Sequence, residues 1–95
     1  MTGGYRCQFE VPAGHPCLAG HFPGRPLVPA VLLLEQVALA LRAWQGGTLA
    51  RVPEAKFLAP LGPGQVATLT LDERLRFEIR RDGQLLARGR VEGGR

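Results

Sequence analysis

The chain has 95 residues, 12 basic and 8 acidic side chains, and a formal net charge of +4. Its length predicts a single domain over residues 1–95, and a domain of this size buries only a modest share of its surface on folding. Because 45% of its residues are hydrophobic, we expect it to complete its core by association with another chain. No uncharged apolar run reaches the roughly 18 residues of a membrane helix, and the first four residues are unlike a signal peptide. The simplest prediction is a cytoplasmic protein with no membrane partner.

Arginines supply most of the positive charge, and many of them lie in the C-terminal third of the chain. Such a surface indicates either a solvated sheet face or a binding surface for an acidic partner. Nucleic acid is not predicted as a partner, because basic and aromatic residues are not interleaved and no nucleic-acid-binding motif is present.

Cys7 and Cys17 are the only two cysteines of the sequence. Their spacing fits neither a redox pair nor a four-ligand zinc site, so we predict free, partly buried thiols. A metal site built from Cys17, His15 and His21 stays an alternative, although a fourth ligand is missing nearby. No metal or other cofactor is predicted.

Residues 5–11 alternate apolar and polar side chains, which predicts a strand with one buried face. Residues 20–29 carry three prolines and two glycines, which exclude a helix or a central strand. We therefore predict a stiff, irregular loop that holds His21 in one place.

Residues 30–44 run without glycine or proline up to Gly46, which predicts a helix of about four turns that is closed by glycine. Pro29 suits the first turn, where its missing N–H costs nothing. The helix is apolar on nearly every side, so other structure should surround it. Glu35 is the exception, and no basic residue lies three or four positions away. Lost solvation favours the protonated carboxyl group, which makes Glu35 a candidate proton donor.

The rest of the chain predicts antiparallel strands. Residues 53–65, rich in proline and glycine, predict a rigid corner between two strands, and the Asp82-Gly83 pair predicts a type I′ hairpin turn. Strands are expected at 66–71, 75–80 and 85–91, with a frayed tail at 92–95. The order predicts an α+β fold in which an antiparallel meander wraps one long central helix.

Residues 20–35 read GHFPGRPLVPAVLLLE and resemble the signature G-H-F-P-G-x-P-x-x-P-G-V-L-x-L-E of the 3-hydroxyacyl-acyl-carrier-protein dehydratases. The histidine-to-glutamate spacing is preserved, and Ala30 stands where the family has glycine. Residues 55–65, AKFLAPLGPGQ, are similar to the family's segment A-K/R-F-x-x-P-x-x-P-G-D, with Gln65 in place of aspartate. Leu39 also departs from the family, which often has glutamine one turn after the acid.

The resemblance implies a hot-dog fold, a curved antiparallel sheet wrapped around one long helix. It implies that His21 removes the C2 proton of a 3-hydroxyacyl thioester and that Glu35 protonates the departing hydroxyl group. The two residues would come from different subunits of a homodimer, or of a higher homo-oligomer built from such dimers. Acyl carrier protein is the implied partner, carrying the substrate on phosphopantetheine. The implied substrate-binding residues are Phe22, Gly24, Ala30, Val31 and Phe57, and the backbone N–H of Ala30 would face the thioester oxygen.

Three functions stay open at this point. The first is a dehydratase that forms a trans-2-enoyl thioester, for which His21 and Glu35 are the expected catalytic residues. The second keeps the fold and hydrolyses an acyl thioester, with Glu35 activating water. The third is a catalytically weak or inactive subunit that binds acyl carrier protein, an interpretation motivated by Ala30, Leu39 and the short chain.

Overall fold

The structure is a computed structural model that describes residues 4–12 and 28–94. Its elements are β1 (Tyr5–Phe9), α1 (Ala30–Gln45), β2 (Thr48–Phe57), β3 (Ala67–Leu71), β4 (Arg76–Arg81) and β5 (Gln84–Gly94). Within these residues, no helix is both long enough and apolar enough to cross a lipid bilayer.

The strands form one antiparallel sheet in the order β1-β3-β4-β5-β2. Helix α1 packs on one face of this sheet and contacts β2, β1 and β3. The predicted α+β architecture, with one long helix against an antiparallel sheet, is confirmed. The predicted meander holds only for β3, β4 and β5, because β1 pairs with β3 and β2 pairs with β5. Strands β1 and β2 are the two edges of the sheet, so each pairs with a neighbour on one side.

The core lies between α1 and the inner face of the sheet. Strand β3 alternates buried and half-buried residues, as expected for a strand with one face against the core. Phe77 and Ile79 of β4 are buried, as their alternation predicted. They pack in one apolar cluster with Val37 and Leu41 of the helix.

Helix α1 begins and ends where the sequence predicted, within one residue. Pro29 precedes it with extended backbone angles, φ −63° and ψ 150°. Gly46 ends it in the left-handed conformation at φ 77°, and its N–H donates to the Arg42 carbonyl oxygen at 2.8 Å. Glycine adopts this conformation without steric cost, which explains why the helix stops there.

Three predicted boundaries were wrong. Strand β2 continues through Pro53 as far as Phe57, although the corner was expected to begin at residue 53. Because β2 is an edge strand, the missing N–H of Pro53 can face outward without breaking the ladder, and the pairing is irregular between Arg51 and Glu54. Strand β5 extends to Gly94 instead of fraying from residue 92, because its end pairs with the start of β2. Strand β1 ends at Phe9 instead of residue 11.

The β4–β5 hairpin confirms the predicted type I′ turn. Asp82 and Gly83 both have positive φ angles, 50° and 81°, and Arg81 pairs with Gln84 across the turn. Positive φ at both central residues matches the twist of the flanking strands.

The far end of α1 is held against β1. The rings of Tyr5 and Trp44 stack with centroids 6.3 Å apart, so Trp44 contributes to packing within the chain. Cys7 of β1 packs against the core as a free, half-buried thiol, and burial raises its pKa. The prediction of a free, partly buried thiol is therefore confirmed for Cys7.

Candidate active site

Helix α1 has one buried face and one exposed face. The buried residues are Leu32, Leu33, Val37, Ala40 and Leu41. On the other side, Val31 is 66% exposed and Leu39 is 55% exposed, with the exposed Glu35 between them. A spacing of four residues places these three side chains along one face of the helix. We call Val31, Glu35 and Leu39 the exposed stripe.

The exposed stripe corrects a sequence prediction. The apolar composition of α1 predicted that structure would surround the helix, but the sheet of a single chain covers only one side of it. The Glu35 carboxyl group is consequently open to solvent in the isolated chain, and apolar surroundings for it would require a second surface.

Two N–H groups at the N-terminus of α1 have no acceptor within the part of the chain that the structure describes. The Leu32 N–H donates to the Pro29 carbonyl oxygen at 3.0 Å. The N–H groups of Ala30 and Val31, at the first two helical positions, have no acceptor among the described residues. No acidic side chain lies in the first turn. Free N–H groups at a helix N-terminus favour an oxygen that carries negative charge.

An apolar cavity of about 250 Å³ lies beside this N-terminus. Ala30 at the start of the helix and Phe57 at the end of β2 both line it, so the structure brings together two of the predicted substrate-binding residues. Val31 points to the exposed stripe instead and is not among the lining residues. The other lining residues are Val28, Leu33, Leu58, Ala59, Pro60 and Leu61.

The cavity wall that follows β2 is the part that sequence reasoning missed. Leu58 is 55% exposed and Phe57 is 42% exposed, so two large apolar side chains stand at the rim. The proline at residue 60 indicated a corner here, but no local pattern indicated that the corner would face the start of α1. That contact depends on the long-range hydrogen bond from the Val28 N–H to the Leu61 carbonyl oxygen, 2.9 Å long.

A larger groove, about 670 Å³, lies elsewhere. It is formed by β2, β3, β4 and β5, and its charged side chains lie on the sheet face opposite α1. Arg76, Arg88 and Arg90 line it together with Glu54, Asp72 and Glu78. Three positive and three negative side chains balance in this groove, so it does not by itself favour an anionic ligand.

Arg88 and Lys56 are nevertheless neighbours across β5 and β2, and neither has an ion-pair partner within residues 4–12 and 28–94. Three other arginines on the same sheet face are paired with acids at 2.8 to 3.6 Å. The C-terminal arginines thus form a largely paired, solvated face, on which Arg88 and Lys56 lie side by side.

Several predicted site residues lie outside the described part of the chain. His21, Phe22 and Gly24 are among them, as are Cys17 and His15 of the alternative metal site. Their roles stay predictions from the sequence.

A family model described as ApeI-like, for the ApeI dehydratase, matches residues 2–90. The chain belongs to the ApeI-like dehydratase family. This confirms the predicted kinship with 3-hydroxyacyl-acyl-carrier-protein dehydratases at the level of the family.

Curated relatives agree with this assignment. The 3-hydroxyacyl-acyl-carrier-protein dehydratase FabZ of Thermus thermophilus is 39% identical over 99 aligned positions, covering 94% of this chain and 68% of the relative. The FabZ of Haemophilus influenzae strain Rd is 37% identical over 72 positions, covering 65% of this chain. The chain spans about half the length of that relative, 49%.

Solved structures agree on the fold. The dehydratase heterocomplex ApeI:P from Xenorhabdus doucetiae contains a chain that is similar with a TM-score of 0.80 at 23% identity, over 100% of this chain and 90% of that one. An uncharacterized protein from Erwinia carotovora subsp. atroseptica gives a TM-score of 0.74 at 22% identity, over 98% and 84%. The predicted hot-dog fold is confirmed for this ApeI-like chain.

Proposed function

We propose that this ApeI-like chain dehydrates a (3R)-3-hydroxyacyl-acyl-carrier-protein thioester to the trans-2-enoyl thioester. The observation that carries the proposal is the position of Glu35 in the exposed stripe, on the helix whose first residue, Ala30, lines the apolar cavity and has an N–H without an acceptor among the described residues. This elimination requires an acid, hydrogen-bond donors for the thioester oxygen and an apolar recess for the acyl chain, together with a base, for which His21 is proposed. Membership of a dehydratase family supports the same reaction.

In the proposed reaction the His21 imidazole accepts the proton from C2, which the thioester carbonyl makes acidic. Glu35 then gives its proton to the hydroxyl oxygen on C3. The C3–O bond breaks with its electron pair on oxygen, water leaves, and the C2–C3 double bond forms. Transfer of the proton from the imidazolium back to the carboxylate, through solvent, restores both groups.

Negative charge develops on the thioester oxygen during this step, and we assign its stabilisation to the N-terminus of α1. The Ala30 N–H is the proposed donor, because a backbone donor that is already oriented needs no rearrangement as the charge forms. Alanine retains this N–H, so the departure from the glycine of the related signature preserves the donor. The acyl chain would enter the cavity beside Phe57.

The active form proposed here is a homodimer. Glu35 is solvated in the single chain, whereas an acid that must stay protonated near neutral pH needs apolar surroundings. A second copy lying over the exposed stripe would exclude water from Glu35 and would also bury Val31 and Leu39. The unpaired edge of β2 next to this helix is a further surface that a second copy could extend. The proposal retains the cytoplasmic location predicted from the sequence.

The proposed substrate carrier is acyl carrier protein, which is acidic. Arg88 and Lys56, which form no ion pair with another described residue, are neighbouring positive charges that suit such a partner. Titration with a carrier protein that bears a 3-hydroxyacyl group, followed at two salt concentrations, tests this partner. We expect weaker binding at higher salt, because screening reduces attraction between exposed charges.

The test of the reaction is an assay of purified protein with a 3-hydroxyacyl thioester. We expect absorbance from the conjugated enoyl thioester and no release of free thiol. His21→Ala and Glu35→Gln should each abolish the absorbance change while the assembly stays intact. Thiol release without enoyl product would instead support thioester hydrolysis.

A second function also has specific support. The ApeI:P structure is a heterocomplex, and this chain carries leucine at position 39 on the same helix face as Glu35. A subunit that binds acyl carrier protein without turnover, inside a larger dehydratase assembly, would account for both observations. Carrier-protein binding by the purified chain, with no enoyl product at any enzyme concentration, would favour this function over the first.

A further inference from the structure

The segment between β2 and β3 contains a side-chain hydrogen bond that the proposed chemistry does not use. Gln65 Oε1 accepts from the Gly62 N–H at 2.8 Å. In return, the Gln65 N–H donates to the Gly62 carbonyl oxygen at 3.3 Å. Gly64, between them, has a positive φ of 79°. We call residues 58–66 the β2–β3 corner, and these two bonds fix its shape.

The β2–β3 corner also binds two distant parts of the chain. The Val28 N–H donates to the Leu61 carbonyl oxygen at 2.9 Å, and the Gly64 N–H donates to the Val11 carbonyl oxygen at 2.8 Å. These anchoring residues are buried: Leu61 is 0% exposed, Val11 is 3% exposed and Val28 is 7% exposed. One corner therefore holds Val11 and Val28, the two residues that lie just outside the stretch of sequence containing His21.

The same corner is a wall of the apolar cavity. Pro60 and Leu61 line it opposite Ala30, and Val28 is two residues before the first residue of α1. A shift of the corner would move the cavity wall and the approach to the helix N-terminus together.

We propose that Gln65 is a positioning residue for the dehydratase reaction. By accepting from Gly62, it holds the β2–β3 corner, and the corner holds Val11 and Val28 in turn. The expected effect on kcat rests on the proposed function. The effect of Gln65 on the structure of the β2–β3 corner can be measured without any substrate. Gln65 stands where the related signature has aspartate, and its side-chain oxygen accepts from the Gly62 N–H in this chain.

The experiment compares the wild type with Gln65→Leu, which removes the acceptor, and with Gln65→Glu, which keeps a carbonyl-type oxygen at the same reach. Gln84→Leu is the matched control, because Gln84 is exposed in the β4–β5 hairpin and lies outside the β2–β3 corner. Backbone amide exchange is followed residue by residue, together with kcat and KM for a 3-hydroxyacyl thioester.

We expect Gln65→Leu to raise the exchange rates of the Gly62, Gly64 and Val28 amides by about tenfold or more, while Ile79 in β4 is unchanged. We expect kcat to fall by roughly tenfold to a hundredfold with KM within about threefold, since misplacement by about 1 Å can cost that much in rate. Gln65→Glu should restore most of both properties, and Gln84→Leu should match the wild type. If Gln65→Leu does not fold, Gln65→Asn, one methylene shorter, takes its place with the same expectations.

Unchanged exchange at Gly62 and Val28 in a folded Gln65→Leu variant would overturn the proposal. So would acceleration of equal size at Ile79, because that pattern means general loss of stability. Faster exchange at the corner with an unchanged kcat would also overturn it. If the wild type itself shows no dehydration, the proposed function fails, and the exchange rates still decide whether Gln65 holds the corner.

Discussion

Leu39 and Leu41 lie two residues apart on α1, yet Leu39 is 55% exposed and Leu41 is 1% exposed. The face that carries Leu41 packs into the core with the sheet, and the face that carries Leu39 also carries Glu35. Two leucine side chains on one helix thus have different environments, one in the core and one at the surface. The buried face holds the chain together, and the exposed stripe is the surface to which we assign the proposed dimer contact and the proposed chemistry.

This comparison assigns stability and activity to different residues. Substitutions on the buried face should lower the free energy of unfolding of the single chain. Substitutions in the exposed stripe should change assembly or turnover and leave the folded chain almost unaffected. The predictions below test that separation, beginning with the largest expected effect.

Glu35→Gln should lower kcat by about 10²- to 10⁴-fold, the range that a lost general acid typically costs. The free energy of unfolding of the monomer should change by less than about 0.5 kcal/mol, because exposed positions tolerate substitution. Enoyl-thioester absorbance measures the first quantity and urea titration the second. A variant that retains full activity would remove Glu35 from the mechanism.

Leu41→Ala should cost about 2–5 kcal/mol in free energy of unfolding, from lost burial and the cavity left behind. Leu39→Ala is the control on the same helix and should cost less than about 0.5 kcal/mol at protein concentrations where the chain is monomeric. If the exposed stripe joins two chains, Leu39→Ala should lower the free energy of unfolding by more at higher protein concentration, because assembly stabilises the folded state by mass action. If Leu41→Ala and Leu39→Ala lowered the free energy of unfolding of the monomer equally, the assignment of one buried and one exposed face to α1 would be contradicted.

Gly89→Ala should destabilise the protein by about 1–3 kcal/mol through overpacking. A Cβ at Gly89 would meet the Glu54 carbonyl oxygen in β2 and would lie 2.7 Å from the Phe77 ring. Gly93→Ala in the same strand is the matched control, since its Cβ would have its nearest neighbours at 3.7 Å. Thermal unfolding of the pair measures the difference, and a Gly89→Ala variant as stable as Gly93→Ala would show that β2 can yield at this point.

Asp72 should make the smallest contribution, and one that depends on pH. Partial burial acts to raise its pKa, but hydrogen bonds from the Arg76 N–H, the Arg76 side chain and the Arg74 N–H together lower it. Because the pKa of Asp72 is lower in the folded state, its ionised form stabilises the protein at pH values above the ordinary aspartate pKa of about 3.9. This stabilisation is lost as the pH falls through the folded-state pKa. Because the pair is largely exposed, the effect should stay below about 1 kcal/mol. Wild type and Asp72→Asn should therefore differ near pH 6, and the difference should shrink as the pH falls below the ordinary aspartate pKa, as followed by urea unfolding.

The elements that the sequence predicted well are those that depend on local signals. The bounds of α1 follow from Pro29 and Gly46, and the β4–β5 hairpin follows from Asp82-Gly83. The strands β3 and β4 follow from alternation. The end of strand β2 was mispredicted at Pro53. A strand can contain proline at this position because β2 is an edge strand, and only the long-range pairing with β5 shows that β2 lies at the edge.

The site could be predicted only in part for the same reason. The signature indicated Glu35 and Ala30 on one helix, and the helical spacing is local. That Phe57 and the β2–β3 corner reach Ala30 depends on the long-range hydrogen bond between Val28 and Leu61. The exposure of Glu35 could not be predicted either. The apolar composition of a helix predicts that its faces are covered, but it does not predict whether the same chain or a second chain covers them.

The most direct test of the account mixes two inactive variants, His21→Ala and Glu35→Gln, after each is purified separately. If each site combines the histidine of one subunit with the glutamate of its partner, subunit exchange should restore about a quarter of wild-type activity, since about half the dimers become mixed and each regains one intact site. Activity that stays at the level of the separate variants, although the subunits are shown to exchange, would contradict a site shared between two chains.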